Sequence, residues 1–241
     1  MSRDIDAVLT DWPRKPDEVQ TRLVTAGDGR LVIQIRIDLG VMQLETKNRP
    51  DGDRPHGFPT YFHYLKSLAA KRGEHFVLSE EQCGEADREF VQFYHRRVAW
   101  LALRRFDEAV SDADHTITFM DFVRDHSPGD EYTAAHEQYR GFVLFHRTQA
   151  AAAAAVERDK PEQAIDEIRA GLAQLRRLRS DAEDDEDDTG DTMIHTLQGM
   201  EKSLRQAHGI DATLREQLER AIAEEEYEAA ARLRDALRQR E

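Results

Sequence analysis

The sequence predicts a mainly α fold. A small N-terminal β-hairpin or sheet packs on a helical body, and a helical hairpin closes the chain. Three observations predict it. Alternating apolar residues occur only before residue 45, and from residue 59 onward apolar residues recur at the three- and four-residue spacing of helix faces. An acidic run, Asp181 to Asp188, separates the last helical segments from the rest. The expected organisation is 1–57, a β region with its loop; 58–180, the helical body; 181–190, an acidic linker; and 191–241, a helix followed by the terminal hairpin.

At 241 residues the chain is long enough to bury a core in one or two domains. Its 34% charged and 39% apolar residues are those of a water-soluble helical protein, and no apolar run is long enough to cross a bilayer. The first residues, Met1-Ser-Arg-Asp-Ile-Asp6, lack an apolar signal core, and one cysteine excludes an internal disulfide, so the cytoplasm is the expected compartment. Net charge is −14, and residues 181–241 carry −10 of it. Such a surface repels phosphate backbones and argues against direct, tight nucleic-acid binding.

Residues 1–20, with Trp12, Pro13 and Pro16, read as an irregular lead-in. Arg22 to Ala26, Gly27-Asp-Gly29 and Arg30 to Leu39 read as a β-hairpin. In its second strand Leu31, Ile33, Ile35, Ile37 and Leu39 should share one face, opposite Gln34, Arg36 and Asp38. Gly40 breaks the alternation, and Met42 and Leu44 resume in the other phase, as a bulge or a new strand would require. The Gly27-x-Gly29 pair lacks the third glycine of a dinucleotide fingerprint and is a turn. Asn48 to Gly57 is a turn-rich loop, with Asp51, Asp53, Arg54 and His56 as its polar candidates for a hydrolase-like or metal site.

A helix follows over 59–70, with Tyr61, Phe62, Leu65 and Leu68 inward, expected to cover the sheet. Ser79-Glu-Glu-Gln82 has the form of a capping box and opens a long helix through Leu103. Phe106-Asp-Glu-Ala109-Val110 opens the next, which Ser127-Pro-Gly129 stops. A single helix from about Glu131 to Arg158 contains the alanine run 150–155, and another begins at Lys160-Pro161. The joint around Ala109, and Ala164-Ile165 with Gly171-Leu172, resemble the paired helices of tetratricopeptide repeats. The two alanines are 55 residues apart, not the 34 of that repeat, so the resemblance is to helix pairs and not to a regular array.

Seven carboxylates in Asp181 to Asp188 repel one another and make a solvated linker. Asp185, Asp187 and Gly190 match the opening of a calcium loop, but Thr196 stands where its closing Glu belongs. Met193, Leu197, Met200 and Leu204 mark a further helix, which Gly209 ends. Then Leu214, Leu218, Ala221 and Ile222 line one helix face, and Tyr227, Ala230, Leu233, Ala236 and Leu237 line another. Thr213 or Asp211 can cap the first helix, and Glu224-Glu-Glu226 mark the turn. So short a hairpin cannot hide enough apolar surface to offset its own ordering, so its stripe must meet a partner's hairpin or this chain's own body.

Leu218, Ala221, Ile222 and the run Glu226-Tyr-Glu-Ala-Ala230 with Leu233-Arg-Asp235 and Leu237 resemble the UVR motif. That motif is found at the C-terminus of UvrB, inside UvrC and in adaptors of a protein arginine kinase. The resemblance covers roughly the last eighth of the chain. It implies a hairpin that pairs with another such hairpin, and places the partner-binding residues at Leu214, Leu218, Ile222, Tyr227, Ala230, Leu233, Arg234, Asp235 and Leu237. The expected function is a protein–protein interaction adaptor or scaffold, its partner being a second copy or another protein with a UVR hairpin. The alternative is an accessory factor of nucleotide excision repair that binds UvrB or UvrC. The chain has no Gly-x-x-x-x-Gly-Lys-Ser/Thr loop, no nuclease signature, and only Cys83 where the kinase adaptors carry cysteine zinc modules.

No catalytic, metal or cofactor constellation emerges. Glu108, Asp112 and His115 share a helix face but lack the second Glu-x-x-His element of a di-iron bundle. His136 and His146 do not align. Cys83 sits near a helix start, where Glu80, Glu81 and Glu85 oppose thiolate formation.

Overall fold

A computed structural model describes residues 5–181 and 188–239; most of the acidic linker, with Asp185 and Asp187 of the calcium comparison, lies outside the described residues. The protein is mainly α with a small antiparallel sheet. It forms two compact units that divide between Val143 and Leu144.

In the first unit a single turn, α1 (Asp6–Leu9), precedes β1 (Thr21–Thr25), β2 (Leu31–Ile37) and β3 (Gly40–Glu45), in the order β1-β2-β3. The phase change at Gly40 is a new strand. Its antiparallel register sets Leu44 opposite Ile33 and Met42 opposite Ile35, restoring one shared apolar face. The expected five-residue apolar face of β2 is shorter than its sequence. Ile33 and Ile35 are buried, but Leu31 and Ile37 are exposed at the strand ends, and Leu39 is 95% exposed in the β2–β3 turn. Val32, on the other face, is buried. The lead-in segment crosses that face: Arg22 lies over the Trp12 ring at 4.1 Å and Arg36 Nε donates to the Trp12 carbonyl at 3.1 Å.

Helix α2 (Tyr61–Arg72) starts at Thr60, whose hydroxyl accepts from the His63 amide. Helix α3 (Glu80–Ala102) opens with the expected capping box, Ser79 and Gln82 each bonding the other's backbone. Helix α4 (Phe106–Asp125) returns beside it. The α2 side chains Tyr61, Phe62 and Leu65 pack with Phe76, Cys83, Ala86 and Phe119, and Phe62 stacks on Phe119 at 4.7 Å. So α2 buries its apolar face against α3 and α4, and α3 is the helix that approaches β2. The expected cover of the sheet by α2 is corrected accordingly.

The single helix expected over 131–158 is two: α5 (Asp130–Glu137) and α6 (Arg140–Glu157). At the break the Tyr139 amide donates to the His136 carbonyl, a tightened three-residue bond, and Arg140 turns inward to meet Asp121 at 2.9 Å and Glu137. The division between the units falls inside α6.

The second unit continues with α7 (Pro161–Asp181), α8 (Asp188–His208), α9 (Leu214–Ala223) and α10 (Tyr227–Arg238). Helices α6 and α7 touch closely at Gly171, where an added Cβ would lie 2.1 Å from Thr148 Oγ1. Leu197 of α8 is fully buried.

One turn geometry occurs three times. Arg104, Asp159 and Glu225 take φ of +56°, +57° and +59° after α3, α6 and α9. In each case the next amide reaches back five residues, Arg105 to Trp100, Lys160 to Ala155 and Glu226 to Ala221. Ala109, Ala164 and Ala230 then lie buried one helical turn further on. The alanines let the second helix of each pair come close to the first, as the spacing around Ala109 and Ala164 led us to expect.

Candidate functional site

The terminal hairpin is built from the sequence signals at its two ends. Thr213 caps α9: its hydroxyl accepts from the Glu216 amide, and the Glu216 carboxylate accepts from the Thr213 amide at 2.7 Å. This Thr-x-x-Glu box was legible in the residues and sharpens the choice between Thr213 and Asp211. Gly209, at φ +62°, ends α8 just before it. Glu224 to Glu226 form the α9–α10 turn as expected.

Of the nine partner-binding positions, Ala230 is buried, and Leu214, Leu218, Leu233 and Leu237 are half-buried. Ile222 is 56% and Tyr227 70% exposed, one on each side of the turn in sequence, and Arg234 and Asp235 are exposed and paired with each other at 3.2 Å. The buried residues of α9 and α10 are the small Ala221 and Ala230. Around the open tip lie Glu224, Glu225, Glu226 and Glu228, while Arg232, Arg234 and Arg238 follow toward the other end of α10, all exposed.

The base of the hairpin is held by polar groups of α7 and α8 that sequence reasoning did not single out. The Thr213 hydroxyl donates to Asp166 Oδ1 at 2.9 Å and the Leu214 amide donates to Glu162 Oε2 at 3.0 Å. Arg205 Nη2 meets Glu216 at 2.6 Å and Glu201 at 2.8 Å, and Arg169 meets Glu219 at 3.3 Å. Burial raises the pKa of Asp166 above the usual carboxylate range, against the Thr213 donor and the Arg215 and Arg169 charges. The pKa of Glu216 is lowered: burial opposes this, and the Arg205 and Thr213 hydrogen bonds outweigh it. Leu237 borders a groove of about 810 Å³ whose lining includes Pro161, Ala170 and Ile210.

The loop at 48–57 is fastened from below and open above. Asp51, Asp53, Arg54 and His56 are all exposed. Asp51 accepts from Gln92 Nε2 at 2.7 Å, and His56 stacks on Tyr64 with ring centroids 3.8 Å apart. They do not converge with a helical histidine. Beneath them lies a buried ionic network. Arg96 forks onto both oxygens of Asp112 at 2.7 and 2.8 Å and donates to the Asn48 and Glu45 carbonyls. Glu89, fully buried, accepts the Tyr61 and Phe62 amides at the N-terminus of α2 and faces Arg49 at 3.7 Å and His115 at 3.3 Å. Asp112 and His115, read as neighbours on one face, thus have separate partners, and Glu108 pairs with Arg105. No group of three or more potential metal ligands occurs among the described residues. Cys83 is buried, which pushes its thiol pKa up.

Nothing in the local pattern of Glu89 distinguishes it from a solvated helix glutamate; its role comes from a residue 28 positions earlier, Tyr61, whose amide it receives. Among the described residues no helix is long and apolar enough to cross a membrane. No family model matches the chain, and no curated protein or solved structure matches it.

Proposed function

We propose that this chain is a protein–protein interaction adaptor, without catalysis of its own, that pairs its α9–α10 hairpin with the hairpin of a second copy. The observation that carries this is the exposure of Ile222 and Tyr227 at the tip of a fully formed hairpin, at two positions where the UVR resemblance places partner contacts. Charge supports a second copy as the occupant. The tip is acidic and α10 is basic further along, so two hairpins laid antiparallel set each acidic tip against the other's arginines. The exposed, non-converging loop at 48–57 supports interaction over a reaction at that loop.

Sedimentation equilibrium of the full chain against Ile222→Asp tests this. Ile222 is exposed, so the variant folds, and its association should weaken at least tenfold. Equal dissociation constants overturn the proposal. If instead the wild-type chain captures UvrB or UvrC, and Ile222→Asp does not, the partner is a repair protein and not a second copy.

A further inference from the structure

The hairpin's two ends are in different situations. Its tip is open, while its base is fixed to α7 through Glu162, Asp166 and Arg169 and to α8 through Arg205. Thr213 spends its hydroxyl hydrogen on Asp166, Leu214 its free helix-start amide on Glu162, and Arg215 lies 3.5 Å from Asp166. Leu214 and Leu237, at opposite ends of the partner stripe in sequence, both sit at this base. A groove lies beside Leu237, bordered by Glu162 and Asp166. A partner hairpin that covers the whole stripe, from Ile222 and Tyr227 to Leu214 and Leu237, therefore competes with α7 for its lower half.

We propose that α7 is an autoinhibitory latch: Glu162 and Asp166 hold the base of the hairpin closed, and releasing them frees the lower half of the stripe for pairing. This rests on the pairing function proposed above. The latch is weak by construction. Its polar contacts are hydrogen bonds and half-exposed ion pairs, each of small net worth. Burial also disfavours the ionised form of Asp166, against the Thr213 hydrogen bond and the Arg215 and Arg169 charges. A population that opens part of the time binds with an affinity reduced by its closed fraction, and removing the latch restores that fraction.

The test reads label distances on the full chain in a Cys83→Ala background with spin labels at Gln174→Cys on α7 and Glu224→Cys at the tip, both exposed positions, and reads dissociation constants on the unlabelled chain with Glu224 in place. The latch variant is Glu162→Ala with Asp166→Ala, which keeps α7 helical because alanine favours helix. Its label distances should lengthen and broaden, and the Leu214 amide should lose hydrogen-exchange protection. The dissociation constant for self-association should fall by about tenfold. Asp166→Asn alone, whose carbonyl still accepts from Thr213, should stay closed and bind as wild type. Label distances in the double variant that match wild type overturn the latch, as do lengthened distances with an unchanged dissociation constant. The pairing itself fails by a different result, a dissociation constant that Ile222→Asp does not alter.

Discussion

Replacing Gly171 by alanine should destabilise the second unit, although the same change elsewhere in a helix stabilises. Gly171 lies within α7 against α6. A Cβ there would stand 2.1 Å from Thr148 Oγ1, 2.5 Å from its Cγ2 and 2.8 Å from its Cβ. Thr148 has little room to yield, since it is buried and its hydroxyl donates to the Leu144 carbonyl at 2.8 Å. Its neighbours Ala150, Ala152, Ala164, Ile168 and Leu172 are buried as well. Forcing a methyl into a filled contact costs about 1–3 kcal/mol, and the helix gains back up to about 1 kcal/mol from losing a glycine. The net expectation is a loss of roughly 0–2 kcal/mol where the controls gain, read as a lower urea midpoint than theirs at constant slope. Gly84→Ala and Gly199→Ala are the controls. Nothing lies within 4 Å of either added methyl, so both should stabilise by roughly 0.5–1 kcal/mol. Adding Thr148→Ala to Gly171→Ala removes the two nearest clashes and should recover part of the loss. A Gly171→Ala protein as stable as the two controls would refute close α6–α7 packing.

Glu89→Ala should cost about 3–5 kcal/mol in urea unfolding, because it strands the Tyr61 and Phe62 amides and takes one of three carboxylates from the buried Arg49, which keeps Glu85 and Asp51; a loss under about 1 kcal/mol would remove the network from the account of stability. Burial holds the imidazole of His136 below its ordinary pKa, with Asp87 and Glu137 opposing. The folded state therefore binds protons less readily there than the unfolded chain, and stability falls as pH drops below the unfolded value of about 6.5. Burial acts in the same direction on His63 and His95. Melting temperatures from pH 7.5 to 5 should fall less steeply for His136→Gln than for wild type, and parallel curves would exclude the residue. Glu225→Gly should raise stability by about 1 kcal/mol, because glycine takes the left-handed φ of +59° without the penalty of a side chain. A thermal melt that drops would show that the turn is held by the Glu225 side chain instead.

Much of the local structure was written in short stretches. The Ser79 capping box, the Gly27-Asp-Gly29 turn, the Gly209 stop and the two hairpin helices each depend on residues within one or two turns of each other, and all appear as the residues indicate. Where distant residues had to choose, local pattern was insufficient. Leu39 continues the alternation of β2 yet projects into water, because the strand ends at Ile37 and the chain turns. The helix expected over 131–158 breaks at Tyr139, where Arg140 reaches Asp121 on another helix. The candidate loop residues show the same limit: Asp51 and His56 are polar and exposed, but what holds the loop is α3, where Arg96 reaches Asn48, Gln92 reaches Asp51 and Glu85 reaches Arg49.

By itself the sequence determined the mainly α class, the sheet before residue 45 and the terminal hairpin with its apolar stripe, since periodicity, caps and turns act over a few residues. Only the tertiary structure decided that Ile222 and Tyr227 of that stripe are open while Thr213 and Leu214 at its base bond Asp166 and Glu162, and that Glu89, Arg96 and Asp112 are interior charges. Burial and ion pairing depend on groups brought together across tens of residues, and no local spacing encodes that meeting.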